Sequence, residues 1–431
     1  MSDKSTVPPA AGPAAEPPLR RSLSLTLLTL YGLGVTIGAG IFVLVGKISG
    51  IAGVHAPLAF VVAATLAGLS ALSFAELSAR FPESAGEAAY VREGLRSRPL
   101  AFAAGLMVAF VGIVSSAAIV NGFVGYLAAL VAFDPALTLA FAAATVVGIT
   151  VIAAMGIGSS VAVAAVLSVA EIGALVAVIA AAVYGDGPGV LAPSASVVPA
   201  VSPPDMAAWL GVMSGAVLAF FAFIGFEDIV NVAEETRDAE RTVPRAIFLT
   251  LLFTVILYVA VTVVADAVAD PAELAASDAP LVLVFERASG LSGRPIALVA
   301  VLAVLNGALI QIIMASRVLY GMARRGLLPA GLGRVDPRSR TPLIATAVVG
   351  GLLLAFALAL PVVALARVTT FVALTIFILV NASLVGLRWR ERAVGGAPVA
   401  GRRRLPLAVP CLGVAVCAAL LFFQAWEAVW G

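Results

Sequence analysis

Acidic residues within apolar stretches are the residues of this sequence whose positions most directly suggest chemistry. Glu227 and Asp228 follow the stretch Phe220–Phe226 (FFAFIGF), and Glu171 stands alone within LSVAEIGA. Ionisable residues within spanning helices are costly, and they usually face a cavity and mark a transport path or a proton relay. Alternatively, Glu227 and Asp228 lie at a water-filled mouth or cap a half-helix.

A glycine-rich segment is the second feature that could do chemistry. GLGVTIGAGIF, residues 32–42, places four glycines within nine positions. Glycine lets the backbone leave helical geometry and approach a ligand closely. An unwound segment here would direct amides from the start of a second half-helix, where the positive end of the helix dipole favours a carboxylate. Close packing of helices through small residues would produce the same pattern.

The elements that must position these residues are membrane spans. Of the 431 residues, 62% are hydrophobic and 12% are charged, which excludes a soluble globular protein. Apolar stretches of about 20 residues, long enough to cross a bilayer, recur eleven times. The sequence therefore predicts an all-α polytopic membrane protein. The predicted spans are Leu25–Val45, Pro57–Ser78, Leu100–Val131, Leu137–Ile157, Val161–Tyr184, Met206–Ala233, Ile247–Val268, Pro295–Leu319, Pro342–Pro361, Val368–Leu387 and Leu407–Trp430.

The basic residues predict the orientation of these spans. If the N-terminus is cytoplasmic, 22 of the 26 Lys and Arg residues fall in cytoplasmic segments, as the positive-inside rule requires. The C-terminus is then predicted outside. A net charge of +2 does not favour binding to nucleic acid. One histidine and two cysteines do not suffice for a zinc site, and no nucleophile–base pair lies at membrane depth, so we expect no metal, no cofactor and no enzyme activity.

The interrupted spans are the first and the sixth, which divides the chain into two sets of five. Such a pair of interruptions is typical of inverted-repeat transporters, in which the substrate binds near the midplane between the repeats. We predict a disordered cytoplasmic tail (1–24), a first repeat (25–184), an inverted second repeat (206–390) and an additional eleventh span (405–431).

Four stretches of the sequence are familiar: Gly34–Phe42, Ala71–Tyr90, Phe220–Ile247 and Ala315–Thr346. They resemble the amino acid–polyamine–organocation (APC) superfamily of secondary transporters, and within it the bacterial permeases similar to cationic amino acid transporters. The resemblance touches most of the first nine spans in order. It implies a five-plus-five inverted-repeat fold with alternating access, in the cytoplasmic membrane.

The resemblance also implies a substrate site. Amides of the first break would bind the substrate carboxylate, and carbonyls of both breaks would bind its amine. An aromatic residue of the sixth span, Phe223 or Phe226, would close the pocket from outside. The implied residues are Thr36, Gly38, Ala39 and Gly40 for the carboxylate, and Ile37, Phe221, Ala222 and Ile224 for the amine.

Glu171 departs from the pattern of the superfamily, because relatives often carry a lysine at this place that is linked to proton coupling. We expect Glu171 either to take up and release a proton or to help hold a cation. The alternative is a structural strut that is hydrogen-bonded to the first break. Glu227 and Asp228 are the other candidates for coupling or gating. The absence of a twelfth span leaves the oligomeric state undetermined.

The function predicted from these features is amino acid transport by a permease in contact with membrane lipids. We expect import of cationic or small neutral amino acids, with the proton as coupling ion. The alternatives are an amino acid or polyamine exchanger of the same fold and a non-transporting amino acid sensor. Away from the site, Glu76 and Arg80 are spaced for an i, i+4 ion pair, which we interpret as a surface pair rather than a gate.

Overall fold

The computed structural model describes residues 23–82, 86–131, 133–155, 161–185, 205–339, 341–393 and 405–430. These residues are helical throughout and contain no β-strand beyond an isolated bridge between Leu23 and Thr236. Nine helical stretches of the described chain are long and apolar enough to cross a membrane, and two shorter apolar helices, Leu25–Gly38 and Leu343–Ala359, accompany them. The predicted all-α polytopic membrane fold is confirmed.

A helix occupies each predicted span. The first to fifth spans are Leu25–Ala52, Ala56–Arg80, Arg98–Leu130, Thr138–Ala154 and Val161–Tyr184. The sixth comprises Met206–Phe223 and the 3-10 helix Phe226–Glu235, and the seventh to eleventh are Ala239–Val268, Arg294–Arg324, Leu343–Ala359, Val362–Ala393 and Ala408–Trp430. Shorter elements are the 3-10 helices Gly53–His55, Pro135–Leu137 and Ala330–Gly333, and the helices Gly86–Leu95, Pro271–Ala276 and Pro280–Ser289. We call Gly86–Leu95 the connecting helix.

The N-terminal end of the described chain is ordered. The prediction of a disordered tail over residues 1–24 falls mostly outside the described residues, but it is wrong for Leu23 and Ser24. The Leu23 amide donates to the Glu235 carbonyl at 3.1 Å, and its carbonyl accepts from the Arg237 amide at 3.0 Å. Ser24 caps the first span through its side chain. This contact fixes the start of the first span against the end of the sixth.

Both predicted helix interruptions are present. In the first span the backbone leaves helical geometry at Gly38 (φ −24°, ψ −134°). The α-helix of the sixth span ends at Phe223, Ile224 is extended, and Gly225 has φ +125°, a conformation that favours glycine. The chain then continues as a 3-10 helix rather than the expected α-helix. A 3-10 helix has three residues per turn, so residues four apart after Gly225 lie on different faces, whereas in an α-helix they would share one face.

Bulky aromatic side chains fill the core around the sixth span. Phe226 and Phe220 pack edge-on against Phe377 of the tenth span, with ring centroids 5.5 Å apart in each pair. Phe223 instead packs against Phe60 and Tyr258 of the second and seventh spans. The sixth span is therefore held on two sides, and its non-helical segment lies inside the bundle.

The bundle has one end rich in arginine. We call it the arginine-rich end, and it holds Arg80, Arg388, the connecting helix and the Leu23–Thr236 bridge. At the opposite end, Arg367 of the tenth span pairs with Glu427 of the eleventh span at 2.7 Å. The eleventh span is thus fastened to the tenth by side-chain contacts.

Candidate functional site

The two helix breaks lie against each other in the centre of the bundle. A Cβ atom on Gly40 would lie 2.5 Å from the Ala222 Cα, and one on Gly225 would lie 3.0 Å from the Val35 carbonyl oxygen. Neither distance leaves room for a side chain, so glycine at these two positions permits the close approach. At Gly38, by contrast, a Cβ atom would meet nothing within 4 Å. Gly38 therefore borders open space.

A tyrosine of the seventh span joins the two breaks. The Tyr258 hydroxyl lies 2.7 Å from the carbonyl oxygen of Thr36 and 2.9 Å from that of Ala222. A tyrosine hydroxyl has a single hydrogen to donate, so the two carbonyls share one donor. Tyr258 is fully buried. It links the first, sixth and seventh spans at the level of the breaks.

A small cavity adjoins the breaks, and we call it the break cavity. It combines apolar walls with the polar groups of Ser115 and Gln311. Backbone of both breaks contributes to it, as the packing above requires. Its lining residues are Val35, Thr36, Gly40, Ser115, Ile119, Phe221, Ile224 and Gln311.

A second small cavity shares Ile224 and Gln311 with the first. Three carboxyl groups line it, those of Glu87, Glu227 and Asp228, and we call it the acidic cavity. The remaining lining residues are Val108, Val111, Met314, Ala373, Ile376 and Phe377. The two cavities therefore form adjoining compartments, one at the breaks and one beside the connecting helix.

The carboxyl groups of the sixth span are held by neighbouring donors. Glu227 Oε2 accepts from the Gly225 amide at 2.8 Å, and Asp228 Oδ2 accepts from Gln311 Nε2 at 3.1 Å. Both residues are buried. The Glu227 bond stabilises the reversal of the chain at Gly225.

Comparison with known proteins agrees with this geometry. The family model described as "Amino acid permease" matches residues 23–429, nearly the whole chain. The chain belongs to the amino acid permease family. The match confirms the resemblance to the APC superfamily, and together with the long apolar helices it makes the chain a multi-pass membrane protein of amino acid transport.

Individual relatives extend along most of the permease. Branched-chain amino acid permease BcaP of Bacillus subtilis is 30% identical over 451 residues, covering 97% of this chain and 91% of BcaP. An uncharacterized transporter of Mycobacterium tuberculosis is 34% identical over 407 residues, covering 94% of this chain and 86% of that protein. Cationic amino acid transporter 9 of Arabidopsis thaliana is 28% identical, covering 78% of this chain and 62% of that protein.

The predicted site residues of the permease separate into three groups. Thr36, Gly40, Phe221 and Ile224 line the break cavity. Ile37 and Ala222 are buried beside it, Gly38 borders open space, and the side chain of Ala39 lies outside the described part of the structure. Phe223 and Phe226 are absent from the described linings of both cavities and belong to the aromatic clusters of the core.

The aromatic residue at the break cavity is Phe221 rather than Phe223 or Phe226. One continuous helix across the sixth span would orient these side chains differently. Because Ile224 is extended and Gly225 has a positive φ, the side chains on the two sides of the break are rotated relative to that helix. The gating role expected of Phe223 or Phe226 stays a prediction.

Glu171 lies fully buried in the fifth span. Neither of its carboxyl oxygens has a hydrogen-bond partner among the described residues. The fifth span packs against the seventh span, which carries Tyr258. No hydrogen bond joins Glu171 to the first break in the described structure, and Ser168 of the same span donates to the Leu30 carbonyl of the first span at 2.7 Å.

Glu87 is a site residue that the sequence did not indicate. It lies in the connecting helix, outside the spans, yet it is only 3% exposed. Gly86 brings the start of this helix against the sixth span, where a Cβ atom would lie 2.4 Å from Val230 Cγ2. Burial raises the pKa of the Glu87 carboxyl to about 7. Glu87 therefore changes its charge near neutral pH.

Glu76 and Arg80 form the predicted i, i+4 pair, with Arg80 Nη2 2.5 Å from Glu76 Oε1. The expectation of a surface pair is wrong, because the Glu76 side chain is 7% exposed. Arg388 of the tenth span also binds the Glu76 carboxylate, and Arg80 reaches Glu391 at 2.6 Å. The pair is thus part of a buried ion cluster that joins the second and tenth spans.

Proposed function

We propose that this permease is a secondary transporter that imports amino acids across the cell membrane by alternating access. The observation that carries the proposal is the contact between two helix breaks beside a buried cavity. Interrupted helices at the midplane are the usual substrate site of inverted-repeat transporters. The two repeats are residues 25–184 and 206–390, and rocking of one set of spans against the other would expose the cavity to each side in turn.

The breaks supply backbone amides for the carboxylate of an amino acid and backbone carbonyls for its ammonium group. The half-helix that begins after Gly38 directs free amides towards the break, and a helix N-terminus favours a carboxylate. The amides of Thr36, Gly38, Ala39 and Gly40 would hold the substrate carboxylate. The carbonyls of Ile37, Phe221, Ala222 and Ile224 would accept from its ammonium group, since a carbonyl that already accepts one hydrogen bond has a second lone pair.

Glu171 is the proposed proton-coupling residue. A buried carboxyl group without a hydrogen-bond partner is typical of proton relays in membranes. The fifth span also packs against the seventh span, whose Tyr258 contacts both breaks. A change in the charge of Glu171 would therefore be felt where the substrate binds. Glu227 and Asp228, at the far side of the break, are the residues proposed to couple or gate its release.

The arginine-rich end is proposed to face the cytoplasm. This end of the bundle contains the N-terminal end of the first span. Of the 26 basic residues, 22 fall in the sequence segments that are predicted to lie on the same side of the membrane. The C-terminal end of the eleventh span would then lie outside. Release into the cytoplasm would pass the acidic cavity, which lies beside the connecting helix.

The test is uptake by the purified protein in liposomes with a panel of amino acids and an imposed pH gradient. We expect gradient-driven accumulation of cationic or small neutral amino acids into empty liposomes. Uptake that requires preloaded substrate would indicate an exchanger instead, and ligand binding without counterflow would indicate a sensor. Failure of every amino acid to bind or move would overturn the proposal.

A further inference from the structure

The acidic cavity has the charge of a site for a cation. Glu87, Glu227 and Asp228 line it, and none of its described lining residues is basic. Each of the three side chains is more than nine-tenths buried. A buried carboxylate is costly unless a proton or a cation compensates its charge. Three of them around one cavity are therefore compensated either by protons or by a positively charged occupant.

A glutamine supplies an independent indication that the cavity holds a ligand. Gln311 is 5% exposed and lies in the lining of both cavities. Its Nε2 donates to Asp228, but its Oε1 has no partner within the described structure. Buried acceptors of this kind are normally satisfied. Gln311 lies between the two cavities, and its Oε1 lies close to Gly112 of the third span.

The two cavities adjoin at Ile224 and Gln311. A substrate whose carboxylate and ammonium groups bind at the breaks has its side chain free to pass Ile224 and Gln311. The end of that side chain then lies among the three carboxyl groups. A neutral side chain would leave their charge uncompensated, and an acidic one would be repelled.

We propose that Glu87 is a specificity-determining residue, and that with Glu227 and Asp228 it binds the ammonium or guanidinium end of a cationic amino acid side chain. This inference rests on the proposed function and narrows its substrate class. Glu87 belongs to the connecting helix rather than to a span, so the specificity of the site depends on how this helix packs against the sixth span.

The test compares lysine and alanine uptake in liposomes for the unaltered protein, Glu87→Gln and Glu93→Gln. Glu93 is a matched control, because it lies in the same helix with its side chain 43% exposed and paired with Arg92. We expect lysine to be the better substrate of the unaltered protein. Glu87→Gln should raise the KM for lysine about ten-fold more than the KM for alanine, and Glu93→Gln should leave the ratio unchanged.

Other results have separate meanings. An equal rise of both KM values in Glu87→Gln, or alanine uptake without lysine uptake in the unaltered protein, would overturn the inference while leaving amino acid transport in place. Absence of uptake and binding for all amino acids would instead remove the proposed function.

If Glu87→Gln does not fold, Glu87→Asp provides the same comparison, and it should likewise raise the KM for lysine more than the KM for alanine. An unchanged ratio in Glu87→Asp would overturn the inference.

Discussion

The hydroxyl of Tyr258 lies 2.9 Å from the carbonyl oxygen of Ala222, at the point where the sixth span breaks. The same hydroxyl lies 2.7 Å from the Thr36 carbonyl of the first break. These backbone oxygens border the groups proposed to bind the substrate ammonium. Tyr258 thereby fixes the distance between the two breaks. It also donates to the Ala222 carbonyl, which is one of the carbonyls proposed to accept from the substrate ammonium group.

Replacing Tyr258 by phenylalanine removes the only donor that the described structure gives to both carbonyls. A buried acceptor left without its partner costs about 1–3 kcal/mol. We expect Tyr258→Phe to lower the thermal stability and to reduce uptake about ten-fold, which corresponds to about 1.4 kcal/mol in the barrier. Uptake assays and unfolding in detergent measure both. Tyr184→Phe is the control, since Tyr184 is 84% exposed, and equal behaviour of the two variants would contradict the role of Tyr258.

Gly38→Val tests the cradle of amides in the first break. Because a Cβ atom at this position meets nothing within 4 Å, the variant should fold. Its side chain would occupy the space proposed for the substrate carboxylate, so we expect uptake to be lost. The measurements are uptake in liposomes and size-exclusion chromatography. Gly351→Val, also in open space but in the ninth span, should retain uptake, and full activity of Gly38→Val would remove the carboxylate site.

The fold and the position of the site were largely predictable from local sequence patterns. Hydropathy identifies spans because an apolar helix satisfies its own backbone hydrogen bonds in lipid, and all eleven predicted spans contain a helix. The breaks were indicated by glycines at Gly38 and Gly225, whose conformations depart from the helix. Both signals depend only on nearby residues.

The side chains around the cavities were less predictable, because their positions depend on distant contacts. Glu87 reads as part of a solvent-exposed segment until the connecting helix packs against Val230. Tyr258 stands in an apolar span without a motif. The directions of Phe223 and Phe226 depend on the backbone at Ile224 and Gly225, which a helical periodicity cannot represent.

Glu171→Gln tests proton coupling. Glutamine has nearly the same shape but cannot gain or lose a proton, so we expect accumulation driven by a pH gradient to fall to the level without a gradient. Exchange of labelled for unlabelled substrate should persist, because the breaks are unaltered. Asp134→Asn, which lies outside the spans, is the control for a lost carboxyl group. Gradient-driven accumulation that survives in Glu171→Gln would exclude the coupling role.

The ion cluster at the arginine-rich end should contribute strongly to stability. Glu76→Gln would leave the buried Arg388, whose side chain is 8% exposed, without its carboxylate, and breaking a buried pair costs about 3–5 kcal/mol. The exposed pair of Arg92 and Glu93 is the matched control, and Arg92→Gln should cost at most about 1 kcal/mol. Thermal unfolding in detergent measures both.

A double variant distinguishes the contribution of the buried charges from the contribution of the volume that their side chains fill. Glu76→Leu combined with Arg388→Met replaces both buried charges by apolar side chains, and such exchanges are often neutral or stabilising. We therefore expect the double variant to recover most of the stability that Glu76→Gln loses. Because Glu391, at 2.6 Å, would be the one remaining ion-pair partner of Arg80 among the described residues, the recovery should be incomplete. Equal losses in Glu76→Gln and Arg92→Gln would show that the cluster does not stabilise the contact between the second and tenth spans.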